Sequence, residues 1–203
     1  MQEETHPWKW YIPNGAKTVV IGTFPPTQRN WSYDFFYPNK NNYFWKIIAR
    51  IAVRPLRYVS GEEAVEERRK LLNHLKLGVS DMGYIIRRKA GNSLDQNLEI
   101  VEYMDIFKLL QENPEVRKLI FTSSSGKSSA IGWFKDYLSL HRIPFIIPQG
   151  KRPLRTSVII SGKSYEVVLL YSTSPRVGAF MSFDVLTELF AEEIKLSGFG
   201  KFK

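Results

Sequence analysis

Val19-Val20-Ile21-Gly22-Thr23-Phe24-Pro25-Pro26 is the stretch that decides the fold. A β-branched apolar run stops at a glycine, a hydroxyl and two prolines. That pattern reads as a strand buried on both faces that empties into a backbone-rich loop. A second stretch repeats the pattern far downstream: Val167-Val168-Leu169-Leu170 runs into Tyr171-Ser172-Thr173-Ser174-Pro175-Arg176. In open α/β sheets ligands bind outside the carboxyl ends of the strands. A fold that brings the two loops to one sheet edge therefore builds a cleft, and function is expected there.

Outward from these strands the chain alternates. The aromatic opening Trp8 to Tyr11 is expected to cover a core edge. Phe44, Ile47, Ile48 and Ile51 recur at i, i+3, i+4 and i+7, which predicts a helix. Ser60-Gly61-Glu62-Glu63 fits a capping box opening a second helix, whose Leu71, Leu72 and Leu75 face inward. Residues 79–97 are mixed, with Asp81 doing structural work at a strand end and Asp95 capping a helix. Asp105 caps a short helix through Leu110. Lys118 to Thr122 is a strand candidate followed by a helix through Leu138, and Phe145-Ile146-Ile147 is a short strand. Residues 158–171 form a hairpin feeding the last strand, and Val185, Leu186, Leu189, Phe190 and Ile194 mark the final helix. Alternating strands and helices imply a mostly parallel sheet covered on both faces.

Composition narrows the function classes. At 203 residues the chain fits one α/β domain, residues 1–203. No stretch approaches the roughly 20 apolar residues that span a bilayer, and Met1-Gln2-Glu3-Glu4 lacks the apolar core of a secretory signal. The absence of cysteine removes disulfides, iron–sulfur clusters and thiolate-bound zinc. His6, His74 and His141 stand in no metal-ligand spacing, so neither a metal nor another cofactor is expected. Twenty-nine basic against 20 acidic residues give a net charge of +9. An excess of that size serves solubility or favours a polyanion such as DNA. It clusters at Arg50, Arg54 and Arg57, at Arg87-Arg88-Lys89, and at Lys151-Arg152 with Arg155.

Among motifs, Ser125-Gly126-Lys127-Ser128 imitates the end of a phosphate-binding P-loop. The full motif needs a glycine where Phe121 stands, so nucleotide hydrolysis is disfavoured. Lys127 at a helix start reads better as a contact to a DNA phosphate or base edge. No Ser-His-Asp arrangement stands out, and paired carboxylates are not expected at the strand ends. The richest local signal is Asp34-Phe35-Phe36-Tyr37-Pro38-Asn39-Lys40-Asn41-Asn42-Tyr43-Phe44-Trp45. Aromatics interleaved with amides suit stacking and edge recognition of a flat heterocycle. Phe44 and Trp45 are assigned to the core of the following helix.

These elements in order resemble the uracil-DNA glycosylase superfamily: Gly22-Thr23-Phe24-Pro25-Pro26, Asn42-Tyr43-Phe44-Trp45, Gly91-Asn92-Ser93-Leu94-Asp95 and Ser172-Thr173-Ser174-Pro175. The look is closest to the hypoxanthine-DNA glycosylase, mismatch-specific branch. The resemblance implies a three-layer αβα fold around a mostly parallel four-stranded sheet. It implies a monofunctional, metal-independent glycosylase that flips a deaminated base, hypoxanthine or uracil, out of DNA and hydrolyses its N-glycosidic bond with water. The setting would be base excision repair by a monomeric, cytoplasmic, nucleoid-associated protein. The first loop often carries an Asp or Asn that orients water, where this chain has Phe24. The role then passes to Asn42, the asparagine before x-Phe-Trp, with Asn41 as its alternative. Gly22, Thr23, Phe24, Pro25, Asn41 and Ser125 would surround the base. Phe36 would stack on it, with Phe35 or Tyr37 as substitutes. Lys127, Ser172, Thr173, Ser174, Pro175 and Arg176 would hold the DNA, with Arg176 or Val177 filling the vacated stack.

The chain also departs from the family pattern. Thr122-Ser123-Ser124-Ser125-Gly126 replaces the usual Asn-Gly after the middle strand, and Ser172 stands where related branches place His or Asn. A binding module that kept the fold and lost the chemistry is the rival reading. A nucleoside hydrolase and a lysine-imine lyase working through Lys40 are the others.

Overall fold

The computed structural model describes residues 3–89, 91–122 and 126–194. The founding run forms β2 (Thr18–Gly22), whose Val19, Val20 and Ile21 are fully buried. It lies between β3 (Leu77–Asp81) and β6 (Lys118–Thr122), parallel to both, with Val20 opposite Val79 on one side and Ile120 on the other. The second run forms β8 (Lys163–Leu170), parallel to β6, with Ile120 opposite Val168. β7 (Leu154–Ile160) closes the edge as the antiparallel arm of the expected hairpin, giving the order β3-β2-β6-β8-β7. The sheet therefore has five strands rather than four. Of the four parallel strands, β2, β6 and β8 are the expected ones, β3 forms largely in the stretch expected to be mixed, and the hairpin arm adds the fifth.

Strand alternation sorts the core into two layers. Val20, Ile120, Val168 and Leu170 face α1 (Phe44–Ile51), α2 (Gly61–Leu75) and α5 (Phe183–Ile194). Val19, Ile21, Leu119, Phe121, Val167 and Leu169 face α3 (Ile106–Glu112) and α4 (Ala130–Leu140). The mixed stretch after β3 resolves into a second sheet. Within it β4 (Gly83–Arg88) pairs antiparallel with β5 (Leu98–Tyr103) on one side and with β1 (Glu3–Thr5) on the other.

Local expectations fare unevenly. Asp105 caps α3 by accepting from the Lys108 N–H, and Ser129 caps α4 through Gly132. Ser60 occupies the N-cap of α2, but its side chain makes no capping bond, so the capping box is not formed. Phe145 to Ile147 is irregular rather than a strand. Phe145 packs on the core while Ile146 points outward, 85% exposed. The Arg87-Arg88-Lys89 cluster is spent on ion pairs within the chain. Arg88 is buried against Glu4, Arg87 pairs with Glu3, and Lys89 pairs with Glu99. Among the described residues no helix is long and apolar enough to cross a membrane.

Candidate active site

Parallel register places four strand ends at one edge: Asp81 lies opposite Gly22, and Thr122 opposite Leu170. The loops that follow enclose a cavity of about 210 Å³. That is smaller than the roughly 300–1,000 Å³ of drug-sized sites, and suits one flat nucleobase-sized heterocycle rather than an extended cofactor. Gly22, Thr23, Phe24 and Pro25 form one wall, and Ser172, Thr173, Ser174 and Pro175 form another. Asn42 lines the space between them, so the two founding loops and the asparagine that precedes Tyr43-Phe44-Trp45 share one hollow. The Tyr43 N–H donates to the Thr173 carbonyl at 2.9 Å, which locks the start of α1 to the last loop.

Asn42 is oriented by its own helix. Its Oδ1 accepts the Phe44 N–H at 2.9 Å, which leaves its Nδ2 hydrogens without a protein partner among the described residues. Asn41 is exposed, its N–H donating to Asn39 Oδ1, and it lies outside the cavity lining. Phe36 is fully buried against His6, Trp8 and Phe35, so neither of its faces is open to a base. The next ring takes that place. Tyr37, at φ +50°, lines the cavity, stacks on Phe44 at 3.8 Å and shares a 2.9 Å hydrogen bond with Thr122 Oγ1. Burial pushes its phenol well above the ordinary range. Ser125 lies outside the described residues. Lys127 and Arg176 are exposed and line an adjoining hollow of about 560 Å³ rather than the cavity itself. Val177 is buried, whereas Phe180 is 69% exposed beside that hollow.

The main departure from sequence reasoning is acidic. Asp81 and Asp95 both line the cavity, so a carboxylate pair does stand at the strand ends. Asp81 is held against β2 so closely that a Cβ on residue 22 would lie 2.2 Å from its Oδ1. Only glycine fits there. Asp81 Oδ2 lies 2.9 Å from Nε2 of the buried His6, which follows β1. Burial raises the Asp81 carboxyl, with the His6 contact and the Gly22 N–H working against the rise.

Asp95 does not cap a helix. It begins a single 3-10 turn, residues 95–97, in the β4–β5 connection, and its Oδ2 accepts the Thr23 hydroxyl at 3.1 Å. Ser93 Oγ accepts the Thr27 N–H, and Arg88 donates to the carbonyls of Asn92 and Pro25, so the connection folds down over the first loop. Burial pushes the Asp95 carboxyl up to about 6. The Thr23 hydrogen bond opposes the rise, Asp81 adds to it, and Arg88 and Arg176 oppose it. Perturbed groups gathered in a cleft mark candidate functional residues. The signal open to sequence reading was Gly91-Asn92-Ser93-Leu94-Asp95, but nothing in it announced that β4 and β5 would return Asp95 to the β2 loop.

No protein-family model matches the chain, and no curated protein matches its sequence. Among solved structures it is similar to a Methanosarcina acetivorans protein described as a "putative Uracil DNA glycosylase". The two are 18% identical with a TM-score of 0.59, over 91% of this chain and 95% of that one. A likeness spanning nearly all of both chains establishes the architecture: this chain has a uracil-DNA glycosylase-like α/β fold.

Proposed function

We propose that the protein is a DNA glycosylase acting on a deaminated base extruded from DNA. The observation that carries this reading is the base-sized cavity where Asn42, the Gly22–Pro25 loop and the Ser172–Pro175 loop meet. Asparagine is no base. It positions water through the second lone pair of Oδ1 while Nδ2 donates to an acceptor on the nucleobase. That is sufficient when the C1′–N bond breaks first, because an oxocarbenium-like sugar needs a weakly activated nucleophile only. Backbone N–H groups of Thr23 and Phe24 stabilise charge on the departing base, and Tyr37 takes the aromatic role expected of Phe36. Flipping costs a few kcal/mol and least at mispairs, which favours deaminated bases before any pocket contact. Phe180 is apolar and exposed beside the site, which supports it as the side chain that fills the vacated stack.

The test is a panel of duplexes carrying single uracil, hypoxanthine, xanthine or mispaired thymine residues, incubated with protein and treated with alkali. Strand cleavage at one of these lesions, lost about 100-fold or more in Asn42→Ala while duplex affinity persists, is the expected result. Salt-sensitive binding with no abasic product from any lesion would instead identify a binding module on this fold.

A further inference from the structure

We infer that Asp95 is the proton donor to the departing base, and that the cavity is accordingly built for an oxopurine rather than for uracil. The inference rests on the glycosylase reading and deepens it. Two carboxyl groups line the cavity, and their surroundings give them different tasks. Asp81 is fully engaged: one oxygen meets His6, and the other lies against the backbone of Gly22. Asp95 spends Oδ2 on the Thr23 hydroxyl, and its Oδ1 has no hydrogen-bond partner among the described residues. It is the carboxyl with an oxygen left for a ligand.

The charged groups around Asp95 come from three other elements: Asp81 at the end of β3, Arg88 on β4 and Arg176 beyond β8. The acid neighbour and burial keep the proton on, while the two arginines and Thr23 prevent it from being held too tightly. The outcome is a carboxyl that titrates close to neutrality, at about 6, where proton donation is most effective.

The chemistry selects the base. A purine leaving group has a basic ring nitrogen, N7, remote from the bond that breaks. Asp95 transfers its proton to N7, the C1′–N9 electron pair passes into the ring system, and the base departs neutral. Water then bonds to C1′, and the proton it sheds returns to the Asp95 carboxylate, so the net reaction is hydrolysis with the acid restored. Uracil lacks an equally basic atom. It leaves as an anion, for which backbone N–H donors suffice and an acid does little.

The test is single-turnover base release from duplexes bearing one deoxyinosine or one deoxyuridine, followed from pH 5 to 8.5. Expected for the wild type is a deoxyinosine rate that is flat at low pH and falls as pH rises through about 6. Asp95→Asn should slow deoxyinosine cleavage about 100-fold or more and abolish that pH break, while slowing deoxyuridine cleavage less than about tenfold. Thr23→Val, which removes a hydrogen bond that favours the ionised form, should move the break to higher pH, and it serves as the readout if Asp95→Asn fails to fold. An unchanged deoxyinosine rate in Asp95→Asn, equal losses on both bases, or a break that Thr23→Val does not move would overturn the inference and leave the glycosylase reading standing. A wild type that releases no base from these duplexes, nor from those carrying xanthine or mispaired thymine, would overturn both.

Discussion

His6 Nε2 lies 2.9 Å from Asp81 Oδ2, and this buried contact ties a residue beside the first strand to the wall of the cavity. The ring is wedged edge-on against Trp8 and Phe24, and its Nδ1 lies 2.7 Å from the Trp8 carbonyl. It therefore has little freedom to turn away. Removing one partner of a buried hydrogen bond leaves the other to bear its desolvation, about 1–3 kcal/mol. His6→Ala is expected to lower the urea midpoint accordingly and to slow base release, because Asp81 and the Gly22 backbone would lose their fixed placement. His6→Gln, whose amide can still donate to Asp81, should recover part of both. Unchanged base release in His6→Ala would show that Asp81 has no part in shaping the site.

Stability elsewhere rests on another buried acid. Glu193 of α5 is 5% exposed and accepts from Lys118 of β6 at 3.2 Å and from Arg155 of β7. It joins the helix layer to two strands of the sheet. Glu193→Gln would leave both cations facing a neutral amide. Lys118 and Arg155 keep some contact with water, so the expected cost is about 1–3 kcal/mol rather than the larger figure for a fully enclosed pair. Chemical denaturation measures it. Base release should persist, since none of the three side chains lines the cavity.

What was legible in the sequence follows physical lines. β2 and β8 announce themselves because a parallel central strand is apolar on both faces, and their loops then had to meet at one edge. The place of Asn42 in the cavity lining was legible because its motif is local. The acid pair was not, because Asp81 and Asp95 become neighbours only through the β4–β5 sheet, a weakly patterned stretch whose pairing is set by tertiary contacts. Phe36 and Tyr37 illustrate a finer limit. In an irregular loop no period assigns faces, and here a positive φ at Tyr37 sends the second ring to the cavity and the first to the core. Charge misled at residues 87–89, since a run of cations says nothing of Glu3, Glu4 and Glu99 folding against it.

The remaining surface charge makes its own expectation. Lys127, Lys135 and Lys151 are exposed around a hollow of about 890 Å³ that shares Lys127, Tyr171 and Phe180 with the one beside the cavity. If a duplex lies along this track, each lysine that meets a phosphate contributes to the salt dependence of affinity. Lys127→Ala and Lys151→Ala should each reduce the slope of log K against log salt by about 0.9. Lys89→Ala should leave it nearly unchanged, because Lys89 is paired with Glu99 at 3.2 Å. Titrations of a labelled duplex between low and moderate salt separate the two cases, and equal slopes for all three variants would place the DNA elsewhere.

Asp95 also leaves a signature in folding. Its carboxyl titrates near 3.8 when unfolded and at about 6 when folded, a rise caused first by burial. Below the lower value both states are protonated and the full contribution to stability is present. As pH rises from there to about 6 the unfolded chain releases a proton that the folded protein retains, so stability falls across that window and levels off above it. Complete linkage would amount to roughly 3 kcal/mol. Asp95 is only partly buried, and solvent screening reduces the expectation to about 1–2 kcal/mol. Asp95→Asn cannot ionise, so it should be more stable than the wild type at pH 7.5 by that amount and equal to it near pH 3.5. A gain in stability joined to a loss of base release is the pattern of a group kept for chemistry at the fold's expense. Urea denaturation at the two pH values decides it: a variant no more stable at pH 7.5 would mean that the folded protein ionises Asp95 without cost.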